Sequence, residues 1–207
     1  MAVFPLFVQL RGKKCVVVGG GEVALRKIET LLQFEANPVI IAPEMNSSIE
    51  ELGRQGKISI LKKEYSRQDI DGTFLVIAAT SEREVNENVF WDAQKSNIPV
   101  NVVDDPEKCT FIFPSVVKRG ELVIGISTSG KYPALSKKVR KTIEELFPDE
   151  YSGILNLLAD FRDKVRKGVV NREQRERILR CVIDELYCRD TITYEALSSI
   201  IERYEVK

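Results

Sequence analysis

Cys15-Val16-Val17-Val18-Gly19-Gly20-Gly21-Glu22-Val23-Ala24 is the stretch on which the fold turns. Its first four residues are a short run rich in β-branched side chains, which favours a strand. Three glycines stop that run. From Glu22 to Phe34 the apolar residues Ala24, Ile28, Leu31 and Leu32 fall at helical spacing. The stretch therefore reads as strand, glycine loop, helix, and the loop fits G-x-G-x-x-A in the context that motif requires. Each position has its own physical reason. Gly19 permits the tight turn, Gly21 lets a pyrophosphate approach the backbone, and Ala24 is small enough for close helix–strand packing. The helix start then offers free N–H groups and a positive dipole end to an anion.

Working outward, the same alternation continues. Strands are expected at Pro38–Ala42, Ile58–Leu61, Phe74–Ala79 and Ile98–Val103. Helices are expected at Ser47–Gln55 and from about Ser81 to Ser96, with Ser81 as cap and Glu84 completing a capping box. Continuous apolar strands between amphipathic helices predict a parallel sheet covered on both faces, joined by right-handed crossovers. The expected fold class is α/β, a Rossmann-like parallel sheet over residues 1–113. The pattern changes near Pro114. Ser115–Val117 and Leu122–Ser127 flank Lys118-Arg119-Gly120-Glu121 as a hairpin. A loop from Thr128 leads to Pro133, where a helix begins with Leu135, Val139, Ile143 and Leu146 as its apolar stripe. Beyond Pro148 only helices are expected, at Ser152–Arg166, Arg172–Tyr187 and Tyr194–Tyr204. The expected organisation is thus a nucleotide domain at 1–113, a dimerisation and substrate segment at 114–147, and a small helical domain at 148–207.

The 207 residues carry 31 basic and 31 acidic groups, and 43% are hydrophobic. At roughly 150 residues per domain, that length suits one large or two small domains. The balance excludes a disordered chain and a globally basic nucleic-acid binder. Charge is nevertheless uneven: residues 114–147 hold seven basic and three acidic side chains. No apolar run approaches the ~18 residues that a membrane helix needs, and the first residues lack the pattern of a signal peptide. There is no histidine, and the four cysteines form no CxxC pair. These facts argue against a structural zinc site and against Ser-His-Asp or Cys-His catalysis. No metal-ligating residue is assigned. A reduced, cytoplasmic chain fits best.

The residues expected to hold a dinucleotide are Gly19, Gly21, Glu22 and Val23 in the loop, Pro43 and Glu44 after the second strand, and Ala79 and Thr80 after the fourth. Glu44 is the one acid near the end of the second strand, and no arginine stands there to receive a 2′-phosphate. NAD is favoured over NADP. Asp104 follows a strand at the edge where ligands of open α/β sheets sit, so it could accept a proton. Asp104-Asp105-Pro106 is also good turn chemistry, and from spacing alone the turn is the stronger reading. Cys15, Cys109, Cys181 and Cys188 read as inert thiols. A nucleotide-sensing regulatory domain without catalysis is the rival reading, because fold alone does not fix function.

Six ordered blocks carry a resemblance. They are Phe4-Pro5-Leu6-Phe7-Val8-Gln9-Leu10, then Val17-Val18-Gly19-Gly20-Gly21-Glu22-Val23-Ala24 with Arg26-Lys27, and then Ala78-Ala79-Thr80. Asn101-Val102-Val103-Asp104, Phe111-Ile112-Phe113-Pro114-Ser115 and Ser127-Thr128-Ser129-Gly130-Lys131-Tyr132-Pro133-Ala134-Leu135 follow. Together they resemble the precorrin-2 dehydrogenase family, the N-terminal module of siroheme synthase, closely over residues 3–147 and loosely beyond. The resemblance implies NAD-dependent oxidation of precorrin-2, an octacarboxylate tetrapyrrole, to sirohydrochlorin in siroheme biosynthesis. It implies a homodimer, and for some members the insertion of ferrous iron. Asp104 matches the family's functional aspartate. Ser129 and Lys131 lie where substrate carboxylates are expected, with Thr128 standing where some relatives have serine. With no methyltransferase region after residue 207, the stand-alone form is expected, acting without nucleic acid or membrane partners.

Overall fold

The computed structural model describes residues 3–189 and 192–204. The chain divides into two compact units, residues 1–113 and 114–207.

The first unit is a five-stranded parallel sheet in the order β3-β2-β1-β4-β5. Its strands are β1 (Lys14–Val18), β2 (Asn37–Ile41), β3 (Ser59–Leu61), β4 (Leu75–Ala78) and β5 (Val100–Val102). Helices α1 (Glu22–Gln33), α2 (Ser47–Arg54) and α3 (Arg83–Lys95) make the crossovers with a short 3₁₀ turn, Arg67–Ile70, and a second 3₁₀ turn, Pro106–Lys108, follows β5. The pleat sends alternate residues of β1 to opposite faces. Cys15 and Val17 join Ile28, Leu31 and Ile40 in one core, while Val16 and Val18 join Val76, Val89 and Val100 in the other. Both faces are therefore apolar, as the unbroken hydrophobic strands required. The switch in strand order falls between β1 and β4, beyond whose carboxyl ends a crevice opens in this topology.

The edge strand β5 is not left open. The segment after the second 3₁₀ turn runs back along it and pairs mainly through side chains. Val100 N–H donates to Thr110 Oγ1 at 2.8 Å, and Thr110 N–H donates to Val100 O at 2.9 Å. The buried Asn101 donates through Nδ2 to Phe111 O at 3.0 Å. These bonds blunt an edge that would otherwise template pairing with another chain.

In the second unit β6 (Ser115–Arg119) and β7 (Leu122–Ile126) form an antiparallel hairpin. Its two-residue turn is Gly120-Glu121, so Lys118 and Arg119 belong to the strand rather than the turn. Helices α4 (Pro133–Leu146), α5 (Tyr151–Gly168), α6 (Arg172–Tyr187) and α7 (Tyr194–Arg203) follow. Pro133 is the first residue of α4, as its missing N–H favours. Ile154, Phe161, Val182, Leu186, Leu197 and Ile200 build the core shared by α5, α6 and α7. The apolar stripe of α4 is only partly covered, with Leu135 and Leu146 exposed and Ser136 buried instead.

One expected cap is corrected. Helix α3 starts at Arg83 after Glu82, and Ser81 does not cap it. No side chain caps α3, and the Glu82 N–H is bound by Thr80 Oγ1 at 3.0 Å in the turn that precedes the helix.

Candidate active site

The glycine loop lies between the carboxyl end of β1 and the start of α1, and its three glycines do different work. Gly19 has φ +123°, a left-handed conformation that a side chain disfavours. A Cβ there would stand 2.3 Å from Ala79 O. Gly20, to which the motif assigns no role, is just as tightly held. A Cβ on it would meet Glu44 O at 2.1 Å, and its own carbonyl accepts the Asn46 N–H at 2.8 Å. These two glycines let three strand ends converge. Gly21 is the opposite case: its backbone is extended and no protein atom lies within 4 Å of where a Cβ would be. It is the N-cap of α1, with no side chain capping the first turn. An open position and an uncapped helix start beside two tightly packed glycines leave free N–H groups where a diphosphate can approach the backbone. The residues present fit a dinucleotide.

Glu22 is exposed, and its carboxylate is engaged by Asn46 Nδ2. Asn46 also accepts the Ser48 N–H at 2.7 Å through Oδ1, capping α2. This single asparagine ties the glycine loop, the first acid of α1 and the start of α2 together, and it draws the Glu22 carboxylate aside. Val23 is half-buried, while Pro43 and Glu44 are exposed in the loop after β2.

Ala79 and Thr80 close the other side, with Ala79 N–H bound to Val18 O at 2.8 Å. Asn86, buried on α3, clamps Thr80 from both directions. Its Nδ2 donates to Thr80 O at 3.0 Å, and its Oδ1 accepts the Thr80 N–H at 3.2 Å. Neither Asn46 nor Asn86 was found from sequence. Their partners lie in other loops, and an isolated asparagine carries no spacing signal.

Asp104 lies just beyond β5, exposed and in the left-handed region at φ +61°. The turn reading and the edge placement therefore both describe it. The loop that carries it is closed by Cys109, whose thiol accepts the Val102 N–H at 3.3 Å and is placed to donate to Val102 O or Asp105 O. Burial pushes the Cys109 thiol pKa up, so it stays protonated and able to donate. Lys108 bridges Glu87 and Asp105, pinning the loop's far end to α3. Cys15 is fully buried in β1 and is likewise held as the neutral thiol.

Ser129 and Lys131 lie in the second unit. Ser129 has φ +54°, and its N–H donates to Ser127 Oγ at 3.0 Å. Lys131 is exposed, with its N–H on Thr128 O at 3.0 Å. Thr128 Oγ1 shares a hydrogen bond with the buried Ser136. The loop is thus internally ordered before α4 begins.

A family model described as putative NAD(P)-binding matches residues 6–115, more than half of the chain and nearly all of the first unit. The chain belongs to that family. Among curated proteins it is similar to a siroheme synthase of Methylobacillus flagellatus, 40% identical over 189 residues, which cover 89% of this chain and 40% of the relative. A siroheme synthase of Nitrosomonas europaea is 36% identical over 209 residues, covering 98% of this chain and 44% of that one. The chain thus spans about two fifths of the length of these relatives. Among solved structures, SirC, precorrin-2 dehydrogenase, superposes with a TM-score of 0.78 at 25% identity, covering 98% of this chain and all of that one. The resemblance carried by the six sequence blocks is borne out. Among the described residues no helix is long and apolar enough to cross a membrane.

Proposed function

We propose that this protein oxidises precorrin-2 to sirohydrochlorin with NAD. The cradle at Gly21 carries the reading, supported by the similarity to SirC and to the siroheme synthases. When bound, the nicotinamide is the two-electron acceptor of the reaction. Everything else is done by the chain. The first-turn N–H groups of α1, from Glu22 and Val23, bind the diphosphate. Gly19 and Gly20 hold the loop against Ala79, Thr80, Pro43 and Glu44, which line the nucleotide. Glu44 takes the ribose hydroxyls, and the absence of an arginine after β2 favours NAD over NADP. Asp104 stands at the carboxyl end of β5 and accepts the proton that the macrocycle loses as its hydride departs. Ser129 and Lys131 are assigned to acetate or propionate groups of the substrate, on the strength of the basic charge of residues 114–147.

Assembly as a homodimer in the cytoplasm belongs to the same reading. The apolar surface left at Phe4, Leu6 and Phe7 supports a second copy. Ferrous iron is a candidate second substrate. Without histidine, its insertion would rely on a carboxylate to take up the pyrrole protons.

The deciding experiment is an anaerobic assay of the purified protein with precorrin-2, run with NAD or NADP and with or without ferrous iron. NADH and sirohydrochlorin should appear together, faster with NAD. Binding of NAD without either product would replace the enzyme by a nucleotide-sensing domain.

A further inference from the structure

Lys27 occupies the second turn of α1, beyond the N–H groups that serve the diphosphate. A long helical side chain leans toward the helix start, which brings its head back to the carboxyl edge of the sheet. The Nζ atom sits 4.2 Å from the centre of the Phe113 ring. The ring fixes the cation by cation–π attraction and leaves its three N–H donors free. Among the described residues no oxygen accepts from Nζ and no carboxylate pairs with it. Half-buried lysines without an acceptor are uncommon, because desolvating an ammonium is costly. Burial is the main cause of a lowered pKa here, Arg26 adds to it, and the Asp104 carboxylate opposes it. Asp104 favours the charged ammonium through space, and no ion pair joins the two among the described residues. An ammonium held by a ring, short of an acceptor and next to the proposed base is suited to an incoming anion.

We propose that Lys27 is a substrate-binding residue, holding one carboxylate side arm of the tetrapyrrole beside Asp104. This rests on the reading of the protein as a precorrin-2 dehydrogenase. The substrate carboxylate is preferred over the cofactor's phosphates because the Lys27 ammonium is held on the Phe113 ring and none of its atoms lies within 4 Å of a Cβ position at Gly21, while Asp104 acts on its charge through space. The side arm would accept hydrogen bonds from the ammonium and seat the macrocycle with its reacting edge toward Asp104.

The test uses Lys27→Met and Lys27→Gln, which keep the stem over Phe113, together with Lys27→Arg. Sirohydrochlorin binding is titrated by its absorbance, NAD binding is titrated separately, and KM and kcat are measured with precorrin-2. Losing a charged hydrogen bond should weaken sirohydrochlorin binding and raise KM by about tenfold to a hundredfold. NAD affinity should be unchanged, and Lys27→Arg should recover most of the loss. Unchanged sirohydrochlorin affinity and KM in both neutral variants, with wild-type turnover intact, would overturn the assignment alone. A loss confined to NAD binding would overturn it in favour of a phosphate contact. Absence of precorrin-2 oxidation by the wild-type protein would remove the underlying reading, and the assignment with it.

Discussion

The thiol of Cys109 accepts the N–H of Val102 at 3.3 Å and lies 3.2 Å from the carbonyl of the same residue. One side chain therefore closes the loop that presents Asp104, bonding at its near end and, through Asp105 O, near its middle. Sequence alone suggested an inert thiol. It is inert as a nucleophile, yet it replaces a strand partner at the end of β5. Asp104 keeps its left-handed backbone because both sides of it are tied.

Removing that clasp should be felt in the fold and at the edge together. Cys109→Ala leaves the Val102 N–H without its partner, while the Val102 carbonyl keeps only the long bond from the Asp105 N–H at 3.4 Å, a cost of about 1–3 kcal/mol. Urea denaturation should show that loss, with Cys109→Ser losing less. NAD affinity should hold, since the glycine loop lies on other strands, while kcat for precorrin-2 should fall. A Cys109→Ala variant with wild-type stability and turnover would show that the loop does not depend on the thiol.

The glycine loop predicts two different failures. Gly19→Ala places a methyl 2.3 Å from Ala79 O at φ +123°, so β1 and β4 must part or the turn must rebuild. A loss of about 2 kcal/mol or more in stability is expected. A Cβ at Gly21 meets no protein atom within 4 Å, so Gly21→Ala and Gly21→Asp should both fold normally. The methyl should weaken NAD binding, and the carboxylate should abolish it by facing the diphosphate. Thermal unfolding alongside NAD titration separates the two glycines. Equal loss of stability at both positions would contradict the geometry.

How much of this could be read beforehand differs by residue. The strands of the parallel sheet, the glycine loop and the α1 start are written in local periodicity and in residues with one conformational use, so they are legible; the order of the strands is not. Ser81 misled because a cap is chosen by geometry: Thr80, clamped by Asn86, holds the Glu82 N–H in the turn before α3, and the helix begins one residue later with no side-chain cap. The motif gives Gly20 no role, because its neighbour is the loop after β2, more than twenty residues away. Lys27 appeared only as part of a motif. Its pairing with Phe113 joins residues 86 positions apart, which no spacing rule spans.

Asp104→Asn tests the proton acceptor. The amide keeps the size of the side chain and its tolerance of the left-handed backbone, so stability should change little. It cannot take a proton near neutral pH. NAD binding should be intact, while kcat for precorrin-2 oxidation falls by about 10²–10⁴-fold, the usual contribution of a positioned base. An unchanged turnover number would reduce Asp104 to a turn residue, the reading that spacing alone favoured.

Cys15 gives a pH dependence with a definite sign. It is fully buried at the start of β1, and burial pushes its thiol up to about 11 from an ordinary 9.0. The unfolded chain therefore releases this proton first as pH rises. Its contribution to stability is fully present below about pH 9, falls through the window from 9 to 11, and is gone above the folded value. Two units correspond to about 3 kcal/mol at most. Cys15→Val keeps an apolar side chain of similar size on the same face and removes the titration. The difference in urea stability between wild type and Cys15→Val should thus be constant up to about pH 9 and shift against the wild type toward pH 11. Other groups that titrate there are common to both proteins and cancel. Parallel curves across the whole range would mean that the thiol at β1 is not held neutral by its burial.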